Sequence, residues 1–305
     1  MAMPQVTTLL GPPAFGWSGV YGFITSPTVL FYQALDGDIV STSSNKIVIQ
    51  NEEMKIVFKG DFTLTDGAVT GGTMTGFTMT MSGTTKLLKA KDFDVDAAAL
   101  YNALLAYQAN EEASDAVIEL LANHPTKQVG SQYDDFLFDI TVETDNEWAN
   151  NDTFNGKAGS DWIIGGLGDD ILKGGKGNDL LSDSYGHNKM YGGEGNDVFS
   201  FVMTSSEDYS AVSKIKDFKA GKDVIGLTFY EEENALPYGY LGSQYFHKGK
   251  SATTADEHII YDKSSGKIYY DVDGSGSEAQ LLFAKVKAGT SLHADDFMVM
   301  IPALS

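Results

Sequence analysis

Between residues 147 and 200 the chain repeats itself every nine residues, and this period constrains its fold more than any other feature. Aligned on an acidic position, the nonamers are EWANNDTFN (147–155), GKAGSDWII (156–164), GGLGDDILK (165–173), GGKGNDLLS (174–182), DSYGHNKMY (183–191) and GGEGNDVFS (192–200). The shared pattern is G-G-x-G-x-D-x-U-x, where U is apolar. Glycine and aspartate both disfavour the interiors of ordinary helices and strands. The x-U-x triplet suits only a very short strand, with the U side chain turned inward. The glycines permit φ > 0 and let loop carbonyls turn toward one point, and the aspartate adds a hard carboxylate oxygen. Two nonamers then make one turn of a right-handed coil, so that loops 18 residues apart stack.

Read backward, the same phase takes in FDITVETDN (138–146), with Glu143 in the acidic slot, and VGSQYDDFL (129–137), with Asp134 there and Phe136 at U. That reading gives eight nonamers without a gap. One edge of the coil would carry Asp134, Asp152, Asp170 and Asn188, and the other Asp161, Asp179 and Asp197. Phe154, Ile163, Leu172, Leu181, Met190 and Phe199 would fill a narrow core. The candidate metal site comprises these acidic-slot residues and the loop glycines Gly156, Gly159, Gly165, Gly168, Gly174, Gly177, Gly192 and Gly195. Oxygen ligands on loops suit Ca²⁺, which takes 6–8 oxygens, better than Mg²⁺ or a transition metal. Asn188 offers a neutral oxygen and a weaker site. His187 reads as a solvent-facing loop residue, and Asp135 and Asp169 as surface charges beside the register. Without metal, stacked aspartates repel and one apolar residue per repeat buries little, so ion binding becomes folding free energy.

The nonamers resemble the RTX, or hemolysin-type calcium-binding, family. The resemblance implies a parallel β-roll holding several Ca²⁺ ions through aspartate carboxylates and loop carbonyls of stacked repeats. Downstream lie FSFVM (199–203), SKIKDFKAGKDVIGL (213–227) with a turn at Gly221, and a hairpin in which KSSGK joins Ile259–Tyr261 to Ile268–Tyr270. This arrangement is similar to the C-terminal module of serralysin-like proteins. That module caps the roll and carries an uncleaved signal for an ABC exporter of the type I pathway. The tail IPALS departs from the hydrophobic end often seen there. The implied location is outside a bacterial cell, free or associated with its surface.

Composition agrees. The 305 residues carry a net charge of −21, and all 21 basic residues are lysine. Lacking arginine forks, the chain is poorly suited to nucleic acid, and its acidic excess opposes anionic membranes. Residues 126–200 hold 14 Asp/Glu against 5 Lys, so the excess concentrates on the repeats. There is no cysteine, hence no disulfide and no thiolate metal site. No apolar run is long enough to span a bilayer, and the first 20 residues lack the basic start of a Sec signal peptide.

The expected fold is mainly β: an N-terminal β domain with a helical pair (1–125), the calcium-binding β-roll (126–200) and a C-terminal β cap and secretion module (201–305). In the N-terminal part, residues 46–83 alternate like strands. DAAALYNALLAYQAN (96–110) reads as a helix capped by Asp96, and SDAVIELLANHP (114–125) as a second capped by Ser114. Thr73, Thr75, Thr78 and Thr80 form a hydroxyl array, readable as a solvated strand face or as a surface for a glycan. Catalytic motifs are missing: no histidine forms HExxH, GWSGV (16–20) ends in Val20 where a nucleophile elbow needs glycine, and Gln244 breaks a P-loop ending at GKS (249–251). DVDGSGSE (271–278) has the Asp271/Asp273 spacing of an EF-hand, but Leu282 occupies the twelfth position. It reads as a turn or as an additional Ca²⁺ site. The leading functional reading is a secreted Ca²⁺-binding protein whose N-terminal module binds a surface glycan or protein. The alternatives are a small secreted enzyme acting on polysaccharide or lipid, and a structural surface-layer component.

Overall fold

The computed structural model describes residues 34–81, 86–109, 116–117, 120–121, 125, 127–130, 132, 136–139, 149–183, 185–203, 212–229 and 236–300. The N-terminal part is an antiparallel meander of β1 (Asp38–Ser43), β2 (Lys46–Gln50), β3 (Met54–Thr65), β4 (Ala68–Met81) and β5 (Lys86–Asp96). Its inner face alternates as the sequence does, burying Ile47, Ile49, Ile56, Phe58, Phe77 and Met79. Helix α1 (Ala97–Ala109) starts where the Asp96 carboxylate accepts the Ala99 amide at 2.7 Å, and it buries Leu100, Leu104 and Tyr107. Ala116, Val117, Leu120 and Leu121 are helical, with Val117 and Leu121 buried. The rest of the second expected helix lies outside the described residues.

From residue 127 the chain coils. Strands alternate between two sheets: β6 (Lys127–Val129), β7 (Phe136–Phe138), β8 (Thr153–Ala158), β9 (Trp162–Ile164), β10 (Ile171–Lys176), β11 (Leu180–Asp183), β12 (Lys189–Glu194), β13 (Val198–Met203), β14 (Ser213–Ile215) and β15 (Val224–Phe229). Strand β6 pairs antiparallel with β5 of the meander, the even-numbered strands β8 to β14 then add in parallel, and the odd-numbered strands build the facing sheet. The chain ends with β16 (Gly239–Tyr240), β17 (Phe246–Lys248), β18 (Ile259–Asp262), β19 (Lys267–Tyr270), β20 (Leu281–Lys285) and β21 (Phe297–Met300). Strand β20 joins β14, and β21 joins β15, so parallel stacking continues past residue 200. The expected hairpin pairs Ile259 with Tyr270 and Tyr261 with Ile268.

Two rows of side chains make the core. In the 14-stranded sheet the row runs Ile47, Phe58 and Phe77 in the meander and Gln128, Phe154, Leu172, Met190 and Ile215 in the coil. In the seven-stranded sheet the row is Leu137, Ile163, Leu181, Phe199, Ile225 and Phe297. All six U residues expected in the core are fully buried.

The register corrects the expected start of the repeats. A coil turn takes 18 residues from Phe154 to Leu172, but 26 from Gln128 to Phe154 and from Leu137 to Ile163. The phase is therefore not unbroken before 147. Neither FDITVETDN nor EWANNDTFN contains a glycine, so the glycine signature of the repeats begins only at residue 156. Leu137, not Phe136, stands opposite Ile163, and its strand belongs to the sheet of β9. Asp134 and Glu143 lie outside the described residues. Gln128 closes this end, with its amide nitrogen donating to the Phe138 carbonyl at 2.5 Å and its oxygen accepting the Phe138 amide at 3.2 Å.

Truncating the core row should be costly. Leu172→Ala is expected to lower the stability of the calcium-saturated protein by about 2–5 kcal/mol. Leu105→Ala, on the exposed side of α1, should change it by less than about 0.5 kcal/mol. Denaturant unfolding compares the two, and equal effects would contradict the core described above.

Candidate metal centre

The acidic slots of the nonamers form one ladder on each edge of the roll. On one edge the Asp152 amide donates to Oδ1 of Asp170 at 2.7 Å, the Asp170 amide to Oδ1 of Asn188 at 2.6 Å, and the Asn188 amide to Oγ of Ser213 at 2.9 Å. On the other edge the Asp161 amide donates to Oδ1 of Asp179 at 2.8 Å, the Asp179 amide to Asp197 at 3.1 Å, and the Asp197 amide to Asp223 at 3.2 Å. Each rung is fixed by the side chain one turn above it. The strict 18-residue interval produces this, because it places the same slot of every second nonamer on the same edge.

Burial makes the ladders expensive. Asp152, Asp161, Asp170, Asp179, Asp197 and Asp223 are each at most 2% exposed. Carboxylates removed from water need compensation by charge as well as by amides. Lys219 is the basic group acting on Asp197, and its ammonium donates to the Gly193 carbonyl. Burial above all, with Asp223 and Asp217 nearby, pushes Asp197 up to about 6 against the pull of the Asp179 amide and Lys219. Burial likewise raises Asp223. Oδ2 of Asp197 is buried and has no hydrogen-bond partner among the described residues.

The glycines make room for these oxygens. A Cβ on Gly174 would lie 2.1 Å from Oδ2 of Asp179, and Gly156, Gly165 and Gly192 stand in the same relation to Asp161, Asp170 and Asp197. The third glycine of each motif turns the loop. Gly177 has φ 117°, and a Cβ there would come within 1.9 Å of the Gly159 carbonyl oxygen one turn below. Gly195 sits over Gly177 in the same way, and Gly159 and Gly168 share the positive φ. Every expected ligand position from Asp152 to Asp197 therefore lies on one of two edges lined by carboxylates and loop carbonyls. An orphaned carboxylate oxygen in an all-oxygen setting fits a hard cation such as Ca²⁺.

Sequence reasoning missed the upper ends of both ladders. Asp223 follows Asp197 by 26 residues in GKDVI, a variant of the GNDVF of 195–199, so the G-x-D-x-U spacing signalled it. Ser213 ends the other ladder without such a signal. Asp217 accepts the Gly192 and Gly193 amides, both at 3.0 Å, and clamps the last loop. The residue before each acidic slot also stacks: Asn151 accepts from the Asp169 amide, Asp169 from His187, Ser160 from Asn178, and Asn178 from Asn196. Asp169, expected to be only a surface charge, is exposed but supports the next loop. His187 is exposed as expected, and its Nδ1 accepts the Val212 amide at 2.9 Å. A further group, His293, Asp295 and Asp296, gathers near β21. There the Asp296 oxygens accept the Gly221 and His293 amides at 2.7 and 2.8 Å and fasten the cap.

Comparison with known proteins bears on the repeats. Residues 149–181 and 174–200 match the RTX calcium-binding nonapeptide repeat, in four copies. No curated protein matches the chain. Among solved structures, the AlgE6R3 subunit of the Azotobacter vinelandii mannuronan C5-epimerase is 27% identical, covers 52% of this chain and 83% of its own, and has a TM-score of 0.32. The AlgE6R2 subunit of the same epimerase is 22% identical, covers 58% and 94%, and has a TM-score of 0.25. The repeats at 149–200 are RTX nonapeptide repeats, and the ion that such repeats bind is calcium.

The raised carboxylates set the pH response of the metal-free chain. A folded pKa above the unfolded value means that the folded state holds the extra proton. For Asp197 this favours folding below about 4 and is lost as pH rises through about 6, a loss of roughly 3 kcal/mol in total. In chelator, amide protection of β13 and β15, the strands after Asp197 and Asp223, should be higher at pH 5 than at pH 7.5. The opposite order would contradict the buried ladder.

Proposed function

We propose that this is an exported calcium-binding protein whose roll folds when Ca²⁺ enters its two edges. Asp152, Asp170 and Asn188 would supply oxygens on one edge. Asp161, Asp179 and Asp197 would do so on the other, with loop carbonyls at Gly156, Gly159, Gly165, Gly168, Gly174, Gly177, Gly192 and Gly195. The observation that carries this reading is the depth at which the aspartates are buried, with one oxygen of Asp197 left unpartnered. Cytosolic Ca²⁺ would leave such edges repelling one another and the chain open for passage through a narrow ABC exporter. Outside, each site filled at ten times its Kd adds about 1.4 kcal/mol to folding. Several linked sites could thus drive folding at the exterior and oppose backward sliding. Residues 201–305 would carry the export signal.

In a calcium titration followed by calorimetry, Asp179→Ala is expected to weaken affinity and reduce cooperativity, because its rung touches both neighbours on its edge. In a host with a type I exporter, the secreted fraction should fall when external Ca²⁺ is chelated. Titration curves unchanged by Asp179→Ala would contradict the ligand set. Secretion indifferent to Ca²⁺ would contradict only its link to export.

The outer face of the 14-stranded sheet supports a binding role rather than catalysis. One row across it includes Lys46, Lys59, Gly76, Lys127, Thr153, Ile171, Lys189, Lys214, Lys285 and Lys267. Like charges opposite one another destabilise a sheet. Among the described residues, Lys46, Lys59, Lys127, Lys189, Lys214, Lys267 and Lys285 enter no ion pair. A register shift in β4 between Met74 and Gly76 keeps Met74, Phe77 and Met79 buried, while Thr73, Thr75, Thr78 and Thr80 remain at least partly accessible. A linear array of ammonium groups with hydroxyls beside it suits an acidic polysaccharide, held by charge and hydrogen bonds. The full-length protein in Ca²⁺ is expected to bind polygalacturonate at low ionic strength and to release it as salt screens the charges. The combined Lys46→Gln, Lys59→Gln and Lys127→Gln variant should bind at least tenfold more weakly. Equal binding to neutral dextran, or no loss in the variant, would contradict this reading.

A further inference from the structure

A second cluster of buried oxygens lies away from the roll edges, in the connection between β19 and β20. The segment D-V-D-G-S-G-S-E-A-Q (271–280) folds back on the loop before β18. Gly274, with φ 62°, packs against the Thr254 and Ala255 carbonyls, and the Ser275 amide donates to the Thr254 carbonyl at 3.0 Å. Asp271 is held at its backbone by buried His258: its amide donates to the His258 carbonyl at 2.8 Å, and its carbonyl faces His258 Nδ1 at 2.7 Å. The Asp271 side chain is therefore fixed, 95% buried, against a cavity of about 500 Å³ that Glu278 and Gln280 also line.

Three oxygens here lack hydrogen-bond partners among the described residues: Oδ1 of Asp271, Oδ1 of Asp273 and Oε1 of Gln280. Each belongs to a side chain held by other contacts. Oδ2 of Asp273 accepts the Glu278 amide at 3.1 Å, and the Gln280 amide nitrogen donates to the Lys250 carbonyl at 2.8 Å. Gly276 leaves the space that the Asp273 carboxylate fills, since a Cβ there would lie 1.9 Å from Oδ2. The Asp271 and Asp273 carboxyls are within hydrogen-bonding reach of each other, and no basic side chain lines the cavity. Buried oxygens left without donors cost free energy, and two adjacent carboxylates add repulsion.

We propose that this loop is a cation site separate from the roll, with Asp271, Asp273 and Gln280 as oxygen ligands for a divalent ion of the Ca²⁺ class. The all-oxygen donor set disfavours transition metals. Glu278, exposed at the cavity mouth, supplies further negative charge. The first and third positions match an EF-hand loop, but Gln280 replaces the carboxylate that such a loop places later in the sequence. The ion would tie the β19–β20 connection to the loop before β18 and so stiffen the cap independently of the nonapeptide edges.

Two measurements on the full chain decide it. In a crystal structure at millimolar Ca²⁺, density for an ion is expected beside Asp271, Asp273 and Gln280, with the roll ions as an internal reference. Ions in the roll and none in this cavity would overturn the proposal while leaving the function of the roll untouched. Native mass spectrometry should count one calcium fewer in the Asp271→Asn, Asp273→Asn double variant, with the circular dichroism of the roll unchanged. In chelator this variant should be more stable than the parent, because the repulsion is gone. An unchanged ion count would overturn the proposal. If the variant fails to fold, the crystal structure decides alone.

Discussion

Everything in this molecule follows from burying a column of carboxylates on each side of a thin apolar core. An isolated aspartate in such a place would take up a proton or refuse to fold. Here Asp170, Asp179, Asp197 and Asp223 each receive an amide from the rung below, which fixes position but does not cancel charge. The backbone has spent its amides on positioning, and the glycines have surrendered side chains to leave room. What remains for the solvent to supply is a doubly charged ion with a preference for oxygen. On the function proposed above, the same aspartates that specify the fold would make it conditional on calcium.

That proposed condition would reach beyond the repeats, because the meander and the roll share one sheet. The row from Ile47 to Ile215 belongs to both the antiparallel meander and the roll. Gln128 stands at the crossing, where a buried amide joins the two sheets through the Phe138 peptide. The roll presents β6 as the edge on which β5 of the meander pairs. The other end is closed in kind, by Asp217, Asp223 and Ser213 acting on the last loops and by β20 and β21 extending both stacks. Across the larger sheet, register brings Lys46 opposite Lys59 and Lys189 opposite Lys214.

Most of the roll was legible in the sequence because its physics is local. A nine-residue period sets slot, loop and inward residue together, and Phe154, Ile163, Leu172, Leu181, Met190 and Phe199 all fall where the period puts them. The period misled before residue 147, where the turns from Gln128 to Phe154 and from Leu137 to Ile163 take 26 residues rather than 18. Neither 138–146 nor 147–155 contains a glycine, so the glycine signature begins only at residue 156. Asp223 was readable in GKDVI but lay behind a longer insertion. The outward array of Thr73 and Thr75 with Thr78 and Thr80 has mixed parity in the sequence, which a bulge resolves and alternation cannot foretell. The lysine row is invisible to any linear reading, since its members lie on strands distant in sequence and meet only through register.

The central claim is that calcium supplies the missing charge and thereby the fold. Hydrogen exchange on the full-length protein at pH 7.5, with and without excess chelator, tests it most directly. The account predicts that amides of β9 to β13 exchange slowly in millimolar Ca²⁺ and lose their protection together when the ion is removed. Protection of those strands that is the same in chelator as in calcium would contradict it.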